Sequence, residues 1–106
     1  MGILISQLTA ETLIIQRNDL EANIMSINDA QMRLTATVNE LVNTGMDLDP
    51  DSAEYKLLKQ RQERLDLINK QLDQTLKRYQ TMLELVDKRI EAVDKRLDKD
   101  IESMYK

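Results

Sequence analysis

From Ser6 to Asn43, apolar residues recur at the alternating three- and four-residue spacing of an amphipathic helix. With Ile24 as heptad position a, Val38 is also a, and Leu13, Leu20, Ile27, Leu34 and Leu41 occupy d. Arg17 and Gln31 also fall at a, after Ala10, so the seam has two polar interruptions that must find partners or extend to water. A second strip, Ile14, Ile15, Met25, Met32 and Val42, widens the apolar face. The expectation is ordinary core contact on a broad helix face; the sharper alternative is a third or fourth helix against that strip.

The second helical run extends from about Pro50 to Met104. Leu58, Leu65, Leu72, Tyr79, Val86 and Val93 fall at d, and Leu76, Leu83, Ile90, Leu97 and Met104 at a. Nearer the break the a positions are Tyr55, Gln62 and Asn69, with Ile68 beside them at g, so this seam strengthens toward the C-terminus. Val-Asp-Lys-Arg occurs at 86–89 and again at 93–96, one heptad apart. Acid-before-base pairs four apart (Asp66/Lys70, Asp73/Lys77, Glu84/Lys88, Glu91/Lys95, Glu102/Lys106) support a long solvated helix, at about 0.2–0.5 kcal/mol each.

Asn43-Thr-Gly-Met-Asp-Leu-Asp-Pro-Asp51 separates the two runs. Gly45 is expected to end the first helix in a left-handed conformation that glycine adopts at little cost. Pro50 suits a first helical position and makes Asp49 the expected N-cap, with Asp51 and Glu54 as an alternative capping box one register later. The pattern predicts an all-α fold: a long antiparallel helical hairpin with coiled-coil character, its second helix longer than the first. The expected organisation is one domain over 1–106, comprising an apolar tail 1–5, helix 6–43, turn 44–50 and helix 51–104, with Gly45, Asp49, Pro50 and Asp51 making the hairpin reversal.

That length difference carries the functional expectation. At about 1.5 Å per residue, runs of roughly 38 and roughly 55 residues measure about 57 and about 82 Å. Paired from the turn, the last 15 or so residues of the second helix outrun the first. Val86, Ile90, Val93, Leu97, Ile101 and Met104 are therefore expected to form an oligomer interface, since apolar side chains on an overhang favour a partner.

Composition narrows the chemistry. The chain has 106 residues, no Cys, no His, no Phe and no Trp, with 42% hydrophobic and 32% charged residues. That suits a narrow interhelical seam and removes thiol chemistry, the commonest general base and the commonest metal ligand. Asp94, Asp98 and Glu102 form a carboxylate row, but acids on a charged helix read as a solvated face. The Asp47-x-Asp49-x-Asp51 alternation opens like an EF-hand loop, yet Ser52 replaces its glycine and Leu58 its final glutamate. No phosphate-binding loop or serine nucleophile motif is present, so no catalytic residue, cofactor or metal is expected.

The net charge of −4 divides unevenly: two bases and seven acids before Asp51, thirteen bases and twelve acids from there on. The basic doublets form no sustained stripe, and nucleic acid is not an expected partner. No apolar stretch approaches a transmembrane segment, and the N-terminus lacks the basic start and apolar core of a cleavable signal peptide. The expectation is a cytoplasmic chain or one exported without such a signal. Met1-Gly2-Ile3-Leu4-Ile5-Ser6 also fits the minimal N-myristoylation pattern, although packing of the apolar residues on a seam or partner is the preferred reading.

Asp49-Pro50-Asp51-Ser52 followed by Leu57-Leu58-Lys59-Gln60 resembles the turn of type III secretion needle subunits, and the segment from Val93 to Tyr105, with Asp100 and Ile101, is similar in general character to their helical C-terminus. The resemblance covers about half of the chain and implies a helical hairpin that is exported and polymerises. The present chain departs from that family in its greater length and its Val-Asp-Lys-Arg heptads. The leading expectation is a non-catalytic structural or scaffold protein that self-associates as a homo-oligomer. The alternatives are a secreted filament or secretion-apparatus subunit, and a small chaperone or adaptor that binds an amphipathic helix of another protein.

Overall fold

The computed structural model describes residues 2–104, which form an antiparallel all-α hairpin: α1 (Gly2–Met46) and α2 (Ala53–Met104). At 52 residues α2 is longer than α1, with 45. The contacts divide into two units: a terminal unit pairing residues 2–24 with 78–104, and a turn unit spanning 25–77.

Every a and d position from Ile3 to Asp100 is at least half-buried. Because 3.5-residue spacing keeps those positions on one side of a helix, alternating polar residues can remain in water. In the terminal unit Leu13, Leu20, Val86 and Val93 form the buried cluster, with Ala10, Tyr79, Leu83, Ile90 and Leu97 packed against it. Burying a side chain of this size stabilises by about 1.5–3 kcal/mol, before the entropic cost of ordering.

The turn unit is more polar along its seam. Ile27 is buried, but so is Gln62, and the Gln31 side-chain amide donates to Asn69 Oδ1 at 3.4 Å. The expected requirement that a seam glutamine find a partner is met at Gln31. Arg17, in the terminal unit, is half-buried.

The helix ends differ from the expectation, which shifts the pairing. Gly2–Ile5 belongs to the helix rather than forming a separate tail, because Ile3 and Ser6 continue the a and d columns and no residue there interrupts the helix; Met1 lies outside the described residues. Gly45 has no positive φ and α1 runs on to Met46. Its small size has a different use: an added Cβ would lie 3.2 Å from Leu58 Cδ2, so α2 crosses closely there.

The start of α2 is corrected as well. Ser52, rather than Asp49 or Asp51, caps it: the Tyr55 amide donates to Ser52 Oγ at 3.1 Å, and the Lys56 amide to the Ser52 carbonyl at 3.2 Å. Asp49 instead closes a turn over Pro50, accepting the Asp51 amide on Oδ1 at 3.1 Å. Pro50 and Asp51 therefore belong to the connection and precede the helix.

In the terminal unit, Gly2 lies directly against the Asp100 side chain, whose Cγ would be 2.7 Å from an added Cβ. The expected overhang of about 15 residues is thus corrected to Ile101–Met104 beyond that contact. The extension of α1 to Met46, the start of α2 at Ala53 and the helical Gly2–Ile5 segment together shorten the overhang.

Candidate interaction surface

Four residues expected at an oligomer interface already have partners within the chain. Val86 and Val93 are buried with Leu13 and Leu20, while Ile90 and Leu97 pack against that cluster. Their premise, an unpaired overhang, is therefore corrected: α1 reaches far enough to cover them. Ile101 and Met104 remain exposed.

The unpartnered apolar surface lies instead on the outer side of α1. In the terminal unit Leu4 is 69% exposed, Leu8 56% and Ile15 61%. With Glu11, these residues follow spacings of four, three and four, a second helical stripe at heptad positions b and f. Ile5 and Ile14 border it and are also exposed. Thr9 and Thr12 donate their hydroxyl protons to the carbonyls of Ile5 and Leu8 at 2.8 and 2.9 Å, satisfying those donors within the helix. From Gly2 to Gln16, Glu11 is the one charged residue.

The strip expected to widen the core does not do so. Ile14, Ile15, Met25, Met32 and Val42 are all exposed, because their b, e and f positions point away from the seam. A sequence signal was present in the three-four spacing of Leu4, Leu8, Glu11 and Ile15. Its first member, Leu4, falls in the segment expected to be a tail, where no helical face is assigned.

A second feature occupies the turn unit. Leu41, Leu48, Leu57 and Leu58 line an open groove of about 570 Å³, with Arg61 and Arg64 on its rim alongside Glu54 and Thr44. Leu57 is 66% exposed. Neither arginine ion-pairs with a described residue, and the nearby Lys59 ammonium lies 5.4 Å from the centre of the Tyr55 ring. From Ala53 to Arg64 there are four bases and two acids, giving this end of α2 a basic surface.

Elsewhere α2 presents solvated charge. Of the expected acid-before-base pairs, Asp73–Lys77 closes at 3.2 Å, as does Asp29–Arg33 on α1. Exposed pairs lose side-chain entropy when they close, so favourable spacing alone does not hold them together. Lys106 of the expected Glu102/Lys106 pair, and Tyr105, lie outside the described residues.

Among the described residues no cluster of three or more His, Cys, Asp or Glu side chains is arranged to hold a metal ion. No described helix is long and apolar enough to cross a membrane. Comparison with protein-family models, curated proteins and solved structures finds no match for this chain.

Proposed function

We propose that this chain is a non-catalytic structural module that self-associates through helix packing, with the outer face of α1 from Leu4 to Ile15 as its contact surface. The carrying observation is the exposure of Leu4, Leu8 and Ile15 on a stretch whose opposite side is already packed. A helix that is apolar on both sides favours burial between partners, since water contact with either face is unfavourable. The lack of Lys or Arg from Gly2 to Gln16 favours a protein partner over an anionic membrane surface.

Light scattering coupled to size exclusion, over a concentration series, tests this reading. Wild-type mass should exceed that of one chain, and the double variant Leu8→Asp/Ile15→Asp should return it to the monomer value. Helix content by circular dichroism should be retained, because both positions face outward. A monomeric wild type across the series would exclude self-association. Retention of the oligomer by the double variant would exclude this face.

The same surface supports a second reading as an adaptor that takes an amphipathic helix from another protein. Its signature is a wild-type monomer that gains mass only with that helix present. Mass that climbs steadily with concentration favours the filament-subunit reading within the self-association class.

A further inference from the structure

We infer that the second copy docks head-to-tail: the Leu4–Ile15 face of one copy enters the leucine groove beside Arg61 and Arg64 of the next. The inference rests on the self-association reading and specifies its contact.

The two surfaces complement each other in shape class and charge. The donor is a ridge, since Leu4, Leu8 and Ile15 project from one side of a helix and are more than half exposed. The acceptor is concave, with Leu41, Leu48, Leu57 and Leu58 exposing aliphatic atoms to a groove of about 570 Å³. Glu11 lies on the ridge between Leu8 and Ile15, while Arg61 and Arg64 stand one turn apart on the groove rim. Seating the leucine and isoleucine brings that carboxylate to two guanidinium groups lacking an ion-pair partner among the described residues.

Charge over the wider segments agrees. Residues 2–24 carry Glu11, Asp19 and Glu21 against Arg17, whereas 53–64 carry Lys56, Lys59, Arg61 and Arg64 against Glu54 and Glu63. A symmetric contact of two α1 faces in parallel register would place Glu11 against Glu11 on an otherwise apolar surface. Like charges at such a contact are costly, and the groove offers opposite charge instead.

A head-to-tail contact uses different patches on its two partners. An open chain of bound copies therefore keeps one free face at one end and one free groove at the other, and association continues until a ring closes or material is exhausted. A symmetric contact of two faces uses both faces in one event, leaves both grooves empty and stops at the dimer. Two individually defective variants can consequently distinguish the arrangements.

Leu8→Asp/Ile15→Asp removes the face but leaves the groove; Arg61→Glu/Arg64→Glu reverses the groove rim but leaves the face. Each variant alone should be monomeric by light scattering, with helix content matching wild type. An equimolar mixture should form a species of twice the monomer mass and no larger, because the one competent face meets the one competent groove. Wild-type oligomers with a groove variant that still oligomerises, or a mixture that stays monomeric, would overturn the head-to-tail contact without excluding self-association. A monomeric wild type would overturn both.

Discussion

The terminal and turn units use the same heptad positions for different ends. The terminal unit buries Leu13, Leu20, Val86 and Val93 at d and packs Ala10, Leu83, Ile90 and Leu97 at a against them. The turn unit also keeps apolar residues at d but carries Gln31, Gln62, Asn69 and Tyr55 at a, with Gln31 hydrogen-bonded to Asn69. Apolar layers give stability with little directional demand, because one leucine can replace another after a shift of a whole heptad. A hydrogen-bonded polar layer fits a particular pairing, since displacement leaves its amides without their partners.

The largest expected effect comes from placing charge in the terminal cluster. Val93→Asp should destabilise the fold by about 3–5 kcal/mol, as expected when a buried charge lacks compensation. Thermal and denaturant unfolding followed by circular dichroism would measure it. An unpaired overhang instead predicts reduced oligomerisation with much of the helix intact; normal unfolding behaviour would return Val93 to the surface.

A smaller effect tests the turn unit. Gln31→Leu should cost on the order of 1–3 kcal/mol by stranding the part-buried Asn69 side chain. Adding Asn69→Leu should recover most or all of that loss, while allowing heptad-shifted pairings. The chain contains no native cysteine, so introduced cysteine pairs can report register by disulfide formation. If only the wild-type pairing forms in the double-leucine variant, the polar layer has no role in register choice.

The smallest of the three concerns the end of the connection. Ser52→Ala should lower stability by about 1 kcal/mol through loss of the bond from the Tyr55 amide, measurable from the urea midpoint at constant slope. Asp49→Ala should cost less because it removes a turn contact rather than the cap. A larger loss at Asp49 would restore the capping assignment drawn from Pro50.

Much of the architecture was legible in the side-chain pattern. The a and d columns from Leu13 through Leu97 identified the residues that meet, and the Val-Asp-Lys-Arg repeat located a continuous α2. The helix ends were less legible because Asp49, Asp51 and Ser52 all have the chemistry of a cap. Local preference does not decide among them when their energies differ by so little. A shift of a few residues at each helix end changes which turns pair, and the overhang shrinks to Ile101–Met104.

The candidate surface was partly visible for the same reason. Ile14, Ile15, Met25, Met32 and Val42 form a second strip in the sequence, but periodicity alone does not say whether another helix of this chain covers it. Gly45 was identified at the turn, although its closeness to Leu58 rather than a left-handed backbone accounts for glycine there.

The sequence by itself determined a pair of unequal helices and the faces they would bury, because apolar spacing acts locally and repeatedly along a chain. Tertiary structure decided which turns paired, where the caps formed, and which apolar strip remained outside. Those outcomes depend on register between distant segments: Asp100 must reach Gly2 before the overhang can be counted, and Val93 must meet the α1 cluster before its burial is known.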